Sequence, residues 1–497
     1  MKPLSMMAMA AGLLMSTAVS AQTLKIALND DPDVLDPHRA RTFTGRIVFA
    51  SLCDKLVDIT PDLKFTPELA TEWKWGEDGK TLTFKLRSGA TFHDGEKIDA
   101  AAVKANLDRA RTLQDSLRKS ELSSVESVEV VDDLTVAIKL ARPDGTLLSQ
   151  LSDRAGMMLS PKAFADFAQK PVCSGPFKFV ERVQNDRIVL ERFKEHWNAK
   201  AYNFDRVVFT PIPDTTVRLA NLKAGNIDLL ERLAPTDAPS VKSDAKLVFA
   251  PVDGIGYQGL TINTNNGDRA KTPLGQDKRV RQALELAIDM DVINEVVGQG
   301  IFPPATQPFP LASPYRNPKY DSRKRDVAKA KKLLKEAGVE KVKFELSFGT
   351  STTAQQIAEM IQAMAAEAGF EITLRPTEFA ALQKEATAGN FDVNVIGWSG
   401  RVDPDGNIHA FVTCKGGLND GRYCNPQIDT ILNEARSITD EVKRKALYDS
   451  AQAILLDDLP IIYTYYQPWP FALTKKVDGF KPYPDGLIRL KGVKFAS

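Results

Sequence analysis

Residues 398–406 read WSGRVDPDG and follow a strand-like run, FDVNVIG. Trp398, Arg401, Asp403 and Asp405 place an aromatic face, a guanidinium and two carboxylates within one short loop. These residue types suit three chemistries: acid–base work by paired carboxylates, an oxygen-lined metal loop, or a grip on a charged ligand. The metal loop fails on spacing. Asp403, Asp405 and Asn407 match the opening alternation of a calcium loop, but Ile408 stands where its glycine belongs and Cys414 where its closing glutamate belongs.

Other chemistry is equally thin along the chain. The four histidines, His38, His93, His196 and His409, include no two spaced to share a helix face, and there is no Cys-x-x-Cys. No metal site is expected. GIGYQG, residues 254–259, matches G-x-G-x-x-G letter for letter. That fingerprint needs a helix after it, whereas the strand pattern LTINTNN follows, so the match is read as chance. No G-x-S-x-G elbow or phosphate-binding loop occurs, and no carboxylate pair stands out as general acid and base. An enzyme has no positive sign here, and no cofactor is called for.

The elements that must position the loop begin with an export signal. MKPLSMMAMAAGLLMSTAVSA opens with Lys2, continues with an apolar run and ends with Val19 and Ala21 as small residues for a peptidase. This reads as a cleaved secretory signal over residues 1–21, with no cysteine after it for a lipid anchor. No later stretch reaches the ~18 apolar residues of a membrane span. The 497-residue chain has 65 basic and 64 acidic residues, and losing Lys2 leaves it near neutral. Nothing in that balance points to nucleic acid or an anionic membrane. Residues 22–497 are too many for one ordinary domain, so two large lobes are expected.

Cys414 and Cys424 are the natural disulfide pair, closing the loop CKGGLNDGRYC. Cys53 with Cys173 then follows by elimination, with two buried free thiols as the alternative. The first half is strand-rich: TLTFKLRSG alternates Leu82, Phe84 and Leu86, and Asp99 stands where a helix N-cap belongs. SVEVVDDLTVAIKL reads as a hairpin through Asp132 and Asp133, and FKFVERVQNDRIVLERF suggests further strands. From about residue 278 helices and strands alternate. Asp326 to Ala337 reads as a helix stopped by Gly338, VKFELSF as a strand, and Ala354 to Ala368 as a helix stopped by Gly369. EITL, EFAALQKEATAG and FDVNVIGW continue as strand, helix and strand. The pattern implies a parallel sheet with covering helices. WSGRVDPDG leaves the carboxyl end of such a strand, where open α/β sheets hold their ligands.

LDPHRA, PELATEWKWGEDGKTLTFKLRSGATFHDGEKIDAAAVKANLDR, CSGPFKFVE, LKAGNIDLL, VRQALELAID and YCNPQIDTIL occur in that order between about residues 25 and 490. Together they resemble the signature segments of family 5 extracytoplasmic solute-binding proteins, the peptide- and nickel-type binding components of ABC importers. The resemblance implies an α/β two-lobed periplasmic binding protein fold (type II, large peptide-binding subclass) with two crossing hinge segments. Lobe I would comprise residues 22–262 with a C-terminal return at 472–497, and lobe II residues 263–471. The crossings would lie near GIGYQGLTINTNN and YTYYQPWPFALT. A small peptide or peptide-like solute would be held between lobes that close by a hinge and then be passed to an inner-membrane permease. The expected protein is a periplasmic monomer without cofactor or catalysis.

In dipeptide- and oligopeptide-binding members, an aspartate shortly after the Trp-x-x pattern receives the peptide's amino group. The matching position here is Arg401, with Asp403 and Asp405 following it. That departure speaks against simple dipeptide binding. Arg154, in LSDRAGMMLSP, lies where nickel-type members use an arginine to grip ligand carboxylates. Two arginines in one cleft would favour a carboxylate-bearing ligand, such as an acidic or modified peptide, an opine, or a metal chelate. The alternative for Arg401 is a brace onto Asp403 or Asp405, and for Arg154 an ion pair near Asp153. Trp398, Tyr257, Asn263, Phe43 and Thr44 are further candidate contacts, each open to a packing or hinge role instead. His409 keeps a nickel-chelate reading open. The rivals from other classes are a secreted peptide hydrolase and a sensory or chaperone-like protein on the same fold.

Overall fold

The computed structural model describes residues 22–311, 313–438 and 440–496; the export signal expected over 1–21 lies outside them. Local chemistry sets many of the element boundaries. Leu82, Phe84 and Leu86 all turn into the core from strand Thr81–Leu86. This strand pairs with Ala70–Trp75 and Thr135–Leu140, and Val125–Asp132 completes a four-stranded antiparallel sheet. Asp99 caps helix Ala100–Thr112 by accepting the Ala102 amide at 2.9 Å. Asp326 likewise caps helix Val327–Glu336, and Gly338 follows it with a φ of 76°.

A ten-stranded sheet runs through the whole molecule. One side consists of Phe370–Thr377, Val342–Gly349 and Val393–Trp398, paired in parallel and joined by helices Thr352–Ala366 and Phe379–Ala388. The other side runs from Leu229–Leu230 through Thr23–Leu28 and Arg206–Pro211 to the hairpin Arg187–Arg192 and Phe177–Val183. Two long strands, Leu247–Ile262 and Ile461–Thr474, lie antiparallel in the middle and belong to both sides. Apolar cores collect at either end of them. Val252 and Trp469 pack into one core, while Tyr257 and Tyr466 pack into another, so the change of core falls within a few residues on each crossing strand.

GIGYQG proves to be part of the first crossing strand. Its glycines serve close backbone packing. A Cβ on Gly256 would be driven into the Trp398 carbonyl oxygen and the backbone of Ser399 and Gly400. Gly256→Ala is therefore expected to cost ~1–3 kcal/mol by overpacking. An unchanged urea midpoint for that variant would contradict this role.

Both disulfides are formed: Cys53–Cys173 and Cys414–Cys424, and no free cysteine remains among the described residues. No helix among the described residues is long and apolar enough to cross a membrane.

Candidate functional site

A cleft with a cavity volume of about 480 Å³ lies where the two sides of the molecule meet. Its walls include Phe43, Arg46 and Arg154 from one lobe, Trp398, Arg401 and His409 from the other, and Gln467 and Trp469 from the second crossing strand. Strand Val393–Trp398 delivers the opening loop directly to it.

Asn407 organises that loop. Its side-chain oxygen accepts both the Trp398 indole N–H, at 2.9 Å, and the Arg401 amide, at 2.8 Å, while its amide nitrogen donates to the Arg401 carbonyl at 3.0 Å. The two aspartates turn away from Arg401. Asp403 is held by two hydrogen bonds from Arg444, at 3.0 and 2.9 Å, and also caps the turn Pro404–Asn407. Asp405 is held by Arg436 at 2.9 and 2.7 Å. Burial raises the pKa of Asp403, with Arg444 opposing it. For Asp405, the burial penalty is overcome by Arg436, and its pKa is lowered.

Arg401 reaches across the cleft instead. Its guanidinium lies 4.3 Å from the Trp398 ring centre and pairs with Asp153 of the facing lobe at 2.9 Å. Asp153 also pairs with Arg46 at 2.6 Å, and the Nε of Arg154 lies 3.8 Å from it. One carboxylate thus serves three guanidiniums, all of them buried. Burial alone would raise the Asp153 pKa, but Arg401, Arg46 and Arg154 hold it well below the usual carboxylate range. Burial, reinforced by repulsion from Arg46, brings Arg401 down to about 10, still charged at neutral pH. Arg154 is also lowered well below the ordinary arginine value, first by burial and then by Arg118. Its Nη1 donates to the Ala40 carbonyl at 2.5 Å. The neighbouring Arg118 pairs with Glu121.

Further contacts draw the lobes together around this centre. Arg46 donates to the Ser399 hydroxyl at 2.8 Å, and the Asp403 amide to the Ser149 hydroxyl at 3.3 Å. Arg41 donates to Thr387 at 2.8 Å and to Asp420 at 2.7 Å. The Asp420 loop is the one closed by Cys414–Cys424, and Lys415 to Leu418 of that loop line the cleft.

Of the residues singled out from the sequence, Arg401, Trp398, Asp405, Arg154 and Phe43 line the cleft. Asp403, Tyr257, Asn263 and Thr44 stand behind its walls. Tyr257 is packed edge-on against Tyr463, with burial raising its pKa. The Asn263 side chain ties down the carbonyls of Asn266, Gly389 and Phe391 just beyond the first crossing strand. Thr44 is buried in helix Phe43–Leu52. Arg46, Arg232 and Trp469 are residues that sequence reasoning missed, and Asp153 entered it only beside Arg154, not as the partner of Arg401. Arg232 follows the segment LKAGNIDLL by two residues and Trp469 lies within YTYYQPWPFALT, but nothing in their spacing marks them. His409 lies 3.2 Å from Asn433, and burial lowers its pKa. Among the described residues no three His, Cys, Asp or Glu side chains gather to hold a metal ion.

The geometry can be compared with known proteins. The model for bacterial extracellular solute-binding proteins, family 5, matches residues 64–419. The chain is 31% identical to the glutathione-binding protein GsiB of Pectobacterium atrosepticum, over 96% of this chain and 95% of that one. It is 29% identical to the dipeptide-binding protein of Escherichia coli, over 96% and 95%. In structure it resembles the binding protein AgaA of A. tumefaciens R10 in complex with agropinic acid. That comparison has a TM-score of 0.86 and 26% identity and covers 96% of this chain and 99% of that one. A two-lobed α/β body, crossed twice by long strands and enclosing a charged cleft, thus carries a family match over most of its length: the chain belongs to the family 5 extracellular solute-binding proteins.

Proposed function

We propose that this protein captures a carboxylate-bearing peptide or peptide-like solute between its lobes in the periplasm and delivers it to the inner-membrane permease of an ABC importer. The observation that carries this reading is Asp153, a single carboxylate shared by Arg46, Arg154 and Arg401. The trio holds more positive charge than its one partner offsets, and all three side chains are buried. A ligand carboxylate placed there gains charge-assisted hydrogen bonds, which are stronger than neutral ones. The reading is supported by the relative that binds glutathione and by the structural neighbour that holds agropinic acid. Both compounds carry carboxylates. The protein acts by binding and breaks no bond in its ligand.

The test is a thermal-shift panel on mature protein that has been unfolded and refolded to strip carried-over ligand. Acidic peptides including glutathione, opines, neutral dipeptides, and nickel with and without histidine would be compared. A ligand at ~100 times its dissociation constant adds about 2.7 kcal/mol to the folded state. The expected result is a rise in melting temperature with carboxylate-rich compounds that Arg401→Ala abolishes. Equal shifts from neutral dipeptides would reject the anionic ligand. An opine is the favoured second reading, because AgaA shares the architecture over nearly its whole length.

A further inference from the structure

Arg232 lines the cleft, and among the described residues its terminal nitrogens make no hydrogen bond. It follows strand Leu229–Leu230 with a φ of 53°, a left-handed conformation that side chains other than glycine rarely hold without cause. Its guanidinium carbon lies 5.1 Å from the Phe43 ring centre and 5.4 Å from that of Trp469. These two rings are stacked, with centres 4.3 Å apart. The platform is firmly built: the Trp469 indole donates to the Pro484 carbonyl at 3.0 Å, and Gly486, with a φ of 74°, packs where any Cβ would strike both rings. Arg232 pairs only with the buried Glu231, through Nε at 3.3 Å, and that nitrogen makes no hydrogen bond among the described residues. Its terminal nitrogens, the fork that grips a carboxylate, make no protein hydrogen bond there.

We propose that Arg232 reads a second anionic group of the ligand, against the Phe43–Trp469 platform. This rests on the reading of the cleft as an anion-binding site and narrows the ligand to a short compound with two anionic groups. The Arg46 guanidinium lies 5.8 Å from the same Phe43 ring, so the two cationic positions can be no farther apart than these two distances combined. At ~3.3–3.6 Å per extended residue, that upper bound admits a backbone no longer than a tripeptide's. The middle of the ligand would then lie over the aromatic rings.

Isothermal titration of stripped mature protein with glutathione and with its glycine monoethyl ester tests this. Arg232→Gln is expected to weaken glutathione binding about tenfold or more, the scale of a lost charged hydrogen bond. If Arg232 reads the glycine carboxylate, the ester binds parent and variant alike; if it reads the glutamyl carboxylate, the ester keeps the difference between them. Arg232→Lys, which keeps the charge without the fork, should recover part of the loss and so separate lost recognition from a misfolded segment. Equal affinity of parent and Arg232→Gln for glutathione, with binding still lost in Arg401→Gln, overturns this proposal and leaves the anionic cleft standing. A parent that binds neither glutathione nor any other carboxylate-rich compound of the thermal-shift panel overturns both.

Discussion

Asp153→Ala is expected to destabilise the protein by ~3–5 kcal/mol, the range for removing one partner of a buried ion pair. Arg46, Arg154 and Arg401 have side chains only 4%, 3% and 6% exposed, so the charges left behind have no water to turn to. Two of the three belong to the same lobe as Asp153, which places most of the loss in unfolding itself. Arg401 comes from the facing lobe, so Arg401→Ala should have a smaller effect on the urea midpoint and a larger one on lobe separation. Urea titration and the radius of gyration from solution scattering read the two effects separately. An unfolding free energy for Asp153→Ala within about 1 kcal/mol of the parent would show that the trio does not depend on this carboxylate. The pH dependence has a definite sign. The folded-state pKa of Asp153 lies well below its ordinary value of 3.8, so its contribution is present above that value and disappears as pH falls below it toward the folded-state pKa. Asp153→Asn should accordingly lose the parent's extra stability at neutral pH and show less further loss on acidification.

The sequence displayed the elements of the site far better than its contacts. Strand Val393–Trp398 and the helices beside it follow from apolar periodicity, a capping aspartate and stop glycines, all of which act within a few residues. The same local logic placed WSGRVDPDG at the carboxyl end of a parallel strand. The partner of Arg401 could not be found in that way. Asp403 and Asp405 are its neighbours in sequence, yet they are taken by Arg444 and Arg436 from the two following helices, Glu441–Asp458 and Pro426–Ser437. Its actual partner, Asp153, lies in the other lobe and comes into range only when the crossing strands pair. Arg232 and Trp469 were hidden for the same reason. Their meeting depends on the fold returning a late strand, Ile461–Thr474, beside Leu229–Leu230. The glycines of the first crossing strand were legible as a motif but not as a role, because a dinucleotide turn and a close strand crossing both require residues without a Cβ.

Removing Cys53–Cys173 by double alanine substitution is expected to cost about 5 kcal/mol, against about 2–3 kcal/mol for Cys414–Cys424. In the chain-entropy model, the difference comes from loop length: the first bridge spans a sequence separation of 120 and the second a separation of 10. Native packing points the same way. Cys53 ends helix Phe43–Leu52, donating its amide to the Phe49 carbonyl at 2.8 Å, and Cys173 is fully buried beside it. The next residues strengthen the clamp, since the Ser174 hydroxyl accepts the Asp54 amide at 3.0 Å and the Gly175 amide donates to the Leu52 carbonyl at 2.9 Å. The helix held in this way carries Phe43 and Arg46 into the cleft, so loss of the bridge should weaken ligand binding as well as the fold. The second bridge stands in a different relation to the cleft. Its loop carries Asp420, which meets Arg41 across the cleft, and Lys415 to Leu418 in the wall. Its removal should therefore affect ligand release more than unfolding. Urea titrations of the two double variants, with dissociation rates measured beside them, separate these roles. Equal losses of stability would mean that loop entropy does not set the contribution of either bridge.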